Sequence, residues 1–464
     1  MKSLPNGSLV SNAYQKTDQF FISRKSRNIE YRVAALKRLK RSIKTKEDAI
    51  CDALYRDFKK PKFESLATET QFVLAEINYM LSNMRLWAKP KSVSTSLSNF
   101  PSKDYVQYEP YGQVLVIAPW NYPFQLCIAP LVGAIAAGNT VVVKPSEITP
   151  YTASILKEII ADAFEEGHVA VVEGGVEVSQ ELLQKKWDYI FFTGSTRVGK
   201  IIYQSAAKYL TPVTLELGGK NPCVVDQTTP ISLTAKRIVW GKFLNAGQTC
   251  IAPDYILVHA SKKEKLIQHL IKNITLFYGE DIEKSTDYSR IASINHFKKL
   301  QNILSEESIL FGGNSNIEDH YIEPTLLDTP KLESNVMLEE IFGPILPILT
   351  YTTKEELHSI ISANEKPLAL YVFSKNKAFQ NYMMTNFTFG GGAINDTIIQ
   401  ITNKKLPFGG VGNSGIGSYH GQHSFELFSH KKGIIKKANW LDLPLRYAPY
   451  KLPNWIIKKI KLLF

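Results

Sequence analysis

The chain begins with helical periodicity and then changes period. Residues 27 to 58 and 64 to 88 repeat apolar positions every three or four residues, as in Val33, Leu36, Leu39 and Ile43, which predicts long amphipathic helices forming an N-terminal layer. From Lys89 to Ser102 the pattern gives way to Pro, Ser, Lys and Thr, which predicts a linker or an exposed hairpin, with an excursion from the surrounding domain favoured. Short β-rich runs follow: Val114-Leu115-Val116-Ile117, Thr140-Val141-Val142-Val143, Val169-Ala170-Val171-Val172 and Tyr189-Ile190-Phe191-Phe192 alternate with helical stretches. Apolar strands alternating with helices predict an α/β fold with a parallel sheet covered by helices. Lys144 and Thr193 fall just past predicted strand ends, where open α/β sheets present ligand-binding loops. A second series from Val213 to about Ala393, with strands at Tyr255-Ile256-Leu257-Val258 and Leu368 to Phe373, predicts a second α/β domain.

Composition narrows this picture. A length of 464 residues predicts two or three domains, at least one with an interior that excludes water. The chain is 44% hydrophobic and 21% charged, and it has no apolar run near the roughly twenty residues that a membrane span needs. Met1 to Ser26 lacks the roughly 7–15-residue apolar stretch of a secretory signal, so the protein is expected to stay in the cytosol. Cys51, Cys127, Cys223 and Cys250 form no CxxC pair and have no histidines at metal spacing, which predicts reduced thiols and no metal site.

The net charge of +12 is concentrated at the end: from Lys431 to Phe464 nine Lys or Arg face one acid, Asp442, a local +8. With no zinc finger or RRM motif in the body, nucleic-acid binding is not expected. The segment from Leu452 to Phe464 alternates apolar and basic residues. It is too short to span a bilayer, but can either lie on an anionic membrane surface or pack on the body or across a dimer.

Two glycine patterns compete as a nucleotide loop. Gly410-Val411-Gly412-Asn413-Ser414-Gly415 fits GxGxxG, but it follows Lys405 to Gly409 rather than a hydrophobic strand and leaves no room for a following βαβ unit, so it reads as a structural loop. Gly194-Ser195-Thr196-Arg197-Val198-Gly199 follows a strand and opens a helix, which aims backbone N–H groups at a phosphate. An NTPase reading fails at Ile201, which stands where Ser or Thr must ligate magnesium. A pyrophosphate bound without metal is consistent with a dinucleotide; a plain helix-capping turn is the alternative.

Asn245-Ala246-Gly247-Gln248-Thr249-Cys250 places a thiol after a glycine turn. A lone cysteine is more often an inert buried hydrophobe, so this pattern alone is weak. An ordered set of motifs changes its weight: Pro119-Trp120-Asn121-Tyr122-Pro123-Phe124, Val143-Lys144-Pro145-Ser146-Glu147, Phe192-Thr193-Gly194-Ser195, Leu215 to Lys220, Gly247 to Cys250, Glu340 to Pro344 and Pro407 to Gly410. Over about residues 105 to 430 the chain resembles the aldehyde dehydrogenase superfamily, and its short N-terminus, Asn121-Tyr122 and Cys250 to Asp254 resemble the class 3 or fatty-aldehyde branch.

The resemblance implies NAD(P)-dependent oxidation of an aldehyde to the acid. Cys250 is the implied nucleophile, forming a thiohemiacetal; the Asn121 amide with the Cys250 backbone N–H is the implied oxyanion hole; Glu216 is the implied general base for thioester hydrolysis. The implied cofactor contacts are Trp120, Lys144, Glu147, Gly194, Ser195, Gly199, Leu217, Glu340 and Phe342, with the division of base work between Glu216 and Glu340 left open. Glu147 can accept from both ribose hydroxyls while repelling a 2′-phosphate, which favours NAD, and Lys144 leaves NADP open. The implied fold is a Rossmann-type cofactor domain (1–88 and 103–211), a catalytic α/β domain (212–395), bridging β segments (89–102 and 396–432) and a basic tail (433–464). A medium or long aliphatic aldehyde is the preferred substrate, an aromatic one next, and a homodimer is expected, with Lys89 to Ser102 and Gln422 to His430 similar to oligomerisation segments. A cofactor-free thioesterase built on Cys250 and Asn121 is the nearest rival, but it leaves the Gly194 loop unexplained; an inactive binding protein is opposed by the intact Asn121, Glu216 and Cys250.

Overall fold

The computed structural model describes residues 8–364, 366–442, 447–449, 453 and 455. The tail from Leu452 to Phe464, apart from Pro453 and Trp455, lies outside the described residues. Among the described residues, no helix is long and apolar enough to cross a membrane.

Two parallel sheets carry the molecule, as the alternating pattern predicts. The first has six strands in the order Gly415–Ile416, Val213–Glu216, Tyr189–Thr193, Gln113–Ile117, Thr140–Lys144 and Val169–Val171; the short edge strand alone runs antiparallel. Four of these are the strands read from the apolar runs. The second has seven strands in the order Ile309–Phe311, Thr325–Asp328, Ile345–Tyr351, Tyr255–His259, Pro222–Val225, Ala369–Phe373 and Gly391–Ile394. Strands buried on both faces need no polar alternation, which is why runs such as Thr140–Lys144 are buried throughout. Between strand Gln113–Ile117 and strand Thr140–Lys144 runs helix Gln125–Ala137, buried along its whole length because it is apolar all round.

Three placements correct the sequence reading. Val213–Glu216, expected to open the second α/β series, pairs with Tyr189–Thr193 in the first sheet, so the chain crosses between sheets after Glu216 rather than before Val213. Residues 27 to 58 form two helices, Ile29–Thr45 and Glu47–Phe58, broken at Lys46, whose φ/ψ of −104/16 is not helical. A further helix, Leu9–Ile22, starts at a Ser8 cap and buries only Val10 and Thr17 fully, too narrow a stripe to announce itself by periodicity.

Lys91–Val93 and Ser102–Pro110 form the exposed hairpin that was one reading of that segment, and Ser429–Lys437 completes its three-stranded sheet. Gln422–Leu427 is a short helix packed on Gln125–Ala137, where a Cβ on Gly133 would press into Ser424.

Candidate active site

In the first sheet the chain leaves strand Gln113–Ile117 toward Thr140–Lys144 on one side and returns with Tyr189–Thr193 on the other. Such a reversal opens a crevice at the carboxyl ends of the two central strands. Pro119, Trp120 and Asn121 follow the first of them, and Gly194 to Arg197 follow the second. Glu216, Leu217 and Gly218 end the neighbouring strand, and all of these residues line one cleft of about 630 Å³. The second sheet meets it with amino ends: the turn carrying Cys250 precedes strand Tyr255–His259, and Glu340 to Phe342 precede Ile345–Tyr351.

The cysteine turn is unusual in its backbone. Asn245, Ala246 and Gly247 stand consecutively in the left-handed region, with φ of 55°, 50° and 75°, and a Cβ on Gly247 would collide with the Gly343 carbonyl. Side-chain amides hold this turn. Asn245 Nδ2 donates to the carbonyls of Asn121 (2.9 Å) and Gln248 (3.2 Å), and Gln248 Nε2 donates to those of Asn245 and Arg290, each at 3.0 Å. Beyond it, Asn221 Nδ2 donates to the Cys250 carbonyl at 2.7 Å and the Tyr371 hydroxyl to that of Ile251 at 2.6 Å. The sulfur therefore sits on a fully fastened backbone.

Asn121 is buried, and its Nδ2 donates to the Gln248 carbonyl at 3.0 Å; an amide carries two N–H groups, and this commits one. The Cys250 N–H, implied from sequence as the second oxyanion donor, lies with that of Ile251 against the cysteine's own sulfur, where both favour the thiolate. Burial outweighs them and pushes the thiol up, with the Glu340 and Glu216 carboxylates adding to the rise. Glu216 is 2% exposed, and neither of its oxygens has a hydrogen-bond partner among the described residues. Its carboxyl is held well above the usual range by burial alone. Glu340 is pushed up to about 8, first by burial and then by Asp254, against the opposing Gly219 N–H and Lys220.

Cys250 joins two cavities, one with polar walls among apolar ones and one almost wholly apolar. The cleft already described is polar on its Gly194 and Glu340 sides, and Trp120, Phe342 and His296 form an aromatic corner there, with the Trp120 and Phe342 rings 5.4 Å apart at 86°. Phe342 holds a left-handed φ of 55°, and His296 Nε2 lies 2.8 Å from its carbonyl. The second cavity, about 220 Å³, is walled by apolar side chains including Phe72, Leu126, Trp240, Leu244, Ile398 and Phe408. Cys250, Glu216, Leu217, Leu126 and Thr193 line both.

The structure gathers Cys250, Asn121, Glu216, Trp120, Gly194, Ser195, Leu217, Glu340 and Phe342 around the cleft. Three implied contacts stand elsewhere. Gly199 lies in the first turns of helix Thr196–Ala207, where a Cβ would press on Leu217 at 2.8 Å, so its glycine brings helix and strand end together. Lys144 Nζ pairs with Glu147 Oε2 at 2.6 Å, and neither is among the residues lining the cleft. The Gly410 to Gly415 loop fits its structural reading: Gly415 pairs with Glu216, and the Ser414 carbonyl accepts the Leu217 N–H at 3.2 Å. Among the described residues, no group of three or more His, Cys, Asp and Glu is placed to hold a metal ion.

Sequence reasoning missed the charges that enter from the N-terminal layer. Lys60 and Glu69 form an ion pair of 2.8 Å with both side chains fully buried, and Glu64 is 8% exposed. The signal was present: Glu69 and Glu76, seven apart on the apolar face of a helical run, are too buried for surface carboxylates. Lys242 was missed too; it is 1% exposed, and burial brings its ammonium down to about 8 against the pull of Asp254.

Comparison with known proteins bears on this geometry. The aldehyde dehydrogenase family profile matches residues 6–434. A Staphylococcus aureus protein named 4,4'-diaponeurosporen-aldehyde dehydrogenase is 48% identical over 445 residues, covering 96% of this chain and 97% of that one. Aldehyde dehydrogenase family 3 member A2 of Macaca fascicularis is 43% identical over 437 residues, covering 94% and 90%. A solved structure described as the substrate-bound state of Staphylococcus aureus AldH superposes with a TM-score of 0.96 at 47% identity, covering 98% of this chain and 100% of that one.

Proposed function

We propose a division of labour in the site that proceeds from one premise: the chain belongs to the aldehyde dehydrogenase family and has class 3 relatives. Its reaction is the oxidation of an aldehyde to the carboxylic acid with NAD(P). In our reading Cys250 is the nucleophile, and the observation that carries it is that Cys250 and Glu216 line both the polar cleft and the apolar cavity.

Burial raises both the Cys250 thiol and the Glu216 carboxyl. A thiol attacks only as thiolate, which the Cys250 and Ile251 N–H groups favour once its proton has passed to solvent. Cys250 Sγ then bonds the carbonyl carbon, and the carbonyl electron pair moves to oxygen, toward the Asn121 amide. Bound NAD(P) supplies the acceptor for the hydride leaving that carbon. The thioester left on Cys250 is hydrolysed by a water whose proton Glu216 takes, and the thiolate leaves. Glu340, on the cofactor side alone, orients rather than abstracts.

The cleft suits the pyrophosphate and nicotinamide end of a dinucleotide. Gly194 offers no side chain just before the N-terminus of a 12-residue helix, and Trp120, Phe342 and Glu340 line the same cleft as Cys250. NAD is the preferred cofactor because Glu147 opposes a 2′-phosphate, and Lys144 beside it permits NADP. The substrate we propose is a medium- or long-chain apolar aldehyde, supported by the apolar cavity against Cys250. A rigid polyene aldehyde is the second reading, favoured by the name of the Staphylococcus aureus relative. A homodimer, formed through the exposed three-stranded sheet, fits the sequence resemblance.

Rapid mixing with NAD or NADP and a panel of aliphatic, polyene and aromatic aldehydes, read at 340 nm, tests this. Cys250→Ser is expected to lower kcat by roughly 10³-fold or more, as losses of a covalent nucleophile do. Full activity in that variant refutes the nucleophile; kcat/KM that does not rise with chain length refutes the substrate class.

A further inference from the structure

Ten residues of the N-terminal layer, Lys60 to Glu69, place three charged side chains inside the protein, each gripping a segment of the active site. Glu64 Oε2 accepts the N–H of Asn245, the first of the three left-handed residues, at 3.0 Å. Glu69 Oε2 accepts the N–H of Gln125 at 2.7 Å, where the helix after Asn121 begins. Lys60, bonded to the other Glu69 oxygen, has its Nζ 3.9 Å from the centre of the Tyr122 ring. The Tyr122 hydroxyl in turn lies 2.6 Å from Thr249 Oγ1, one residue from the sulfur. Glu69 sits in a π-helical turn, Leu66–Thr70, a local widening that is frequent at functional sites.

Stability does not account for this cluster. Buried charges are costly to desolvate, and apolar residues of similar volume often do as well or better. Glu64 shows that cost, since burial pushes its carboxyl up to about 7. What a carboxylate offers here is a directed acceptor for a backbone N–H that no neighbouring helix or strand takes up, at a conformation L-residues avoid. The consequence reaches Asn121. Its carbonyl accepts from the Asn245 amide, and its own amide shares the Gln248 carbonyl with that same Asn245 amide. Displacing Asn245 moves Asn121 with it.

We infer that Glu64 is a positioning residue for the oxyanion site: by holding the Asn245 N–H it fixes the left-handed turn that sets the Asn121 amide against Cys250, while the Lys60–Glu69 pair holds the Tyr122 side of the same site. This rests on the assignment of Cys250 and Asn121 made above. Glu64 touches neither reacting atom.

The experiment compares Glu64→Leu with Glu64→Gln in the full-length enzyme, with active sites counted by the stoichiometry of NADH binding. Glu64→Leu is expected to lower kcat per active site by about 10²-fold, the usual loss when one oxyanion donor is misplaced, with the Kd for NADH unchanged. Glu64→Gln, whose amide oxygen still accepts the Asn245 N–H, is expected to restore most of it. If Glu64→Leu is insoluble, Glu64→Met carries the same expectation. Unchanged kcat per site in the apolar variant, or no rescue by glutamine, overturns the inference. Cys250→Ala is run beside them: if it turns over normally, the underlying assignment has failed, whereas an inactive Cys250→Ala with a fully active Glu64→Leu defeats the positioning role alone.

Discussion

The polar cleft and the apolar cavity share Cys250 and Glu216, yet they are built by different means. The cleft is assembled from strand ends: each of three adjacent strands of the first sheet delivers its next residues there, and turns with special backbone requirements do the positioning. The cavity is assembled from side chains that arrive from distant parts of the chain, Phe72 from the N-terminal layer, Trp240 and Leu244 from before the cysteine turn, Ile398 and Phe408 from late in the sequence. One half of the site is fixed by backbone topology and the other by packing. Substitutions on the two sides therefore ought to separate cofactor effects from substrate effects, except at the residues both sides share.

Glu216 is where that separation is expected to fail, and with the largest effect. Glu216→Gln removes the proposed base and leaves the nucleophile, so steady-state turnover is expected to fall by about 10²–10⁴-fold, the range typical of general acid–base groups. The first-turnover burst at 340 nm is expected to persist. Equal loss of burst and turnover would move the residue's role ahead of hydride transfer. In the parent enzyme the raised carboxyl gives the sign of the pH profile: the base form is present at alkaline pH, and activity is lost as pH falls through a value well above the ordinary carboxylate range.

The same contrast decides what could be read from the sequence. Gly194 announces itself because close phosphate approach leaves a glycine after an apolar strand, whereas the Cys250 turn, which follows helix Ile231–Phe243, gains weight only beside the other motifs. The Gly410 to Gly415 loop reads as structural because it follows no apolar strand, and Gly415 pairs with Glu216. The cavity leaves no such trace, since Leu244 and Ile398 are indistinguishable in type from core residues. Val213–Glu216 was assigned to the wrong sheet because a strand buried on both faces carries no mark of its partner. Lys60 and Glu64 stayed hidden because periodicity reports where apolar residues lie, not which polar ones are carried inside with them.

A change within the packed half sharpens the comparison at an intermediate size. Leu244→Trp adds volume to a cavity of about 220 Å³ and leaves every polar contact of the cleft in place. It is expected to lower kcat/KM for long aldehydes by roughly 10–200-fold, the scale of discrimination by one or two methylenes in an apolar pocket. Short aldehydes and the KM for NAD are expected to stay near the parent values. A parallel fall for short and long substrates would mean that this cavity does not hold the chain.

The smallest effect belongs to the cleft alone. Glu340 lies over Gly218, where a Cβ would collide with its carboxylate, and it accepts the Gly219 N–H. Burial and the neighbouring Asp254 raise it to about 8, so at neutral pH it is largely protonated and above that value it is charged. A charged carboxylate accepts ribose hydroxyls with bonds roughly twice as strong as a neutral group does, so cofactor affinity is expected to improve as pH rises through about 8 and to weaken below it, by a few-fold. Glu340 does not line the apolar cavity, so binding of the aldehyde chain there is expected to stay flat over the same range. Glu340→Gln, which cannot ionise, is expected to abolish the pH dependence of cofactor affinity while retaining most of the affinity seen at neutral pH. Titrating NADH binding by fluorescence from pH 6.5 to 9.5, in both proteins and without aldehyde, measures this directly: a pH slope that survives in the glutamine variant would place the titrating group elsewhere, with Lys242 the next buried group to replace.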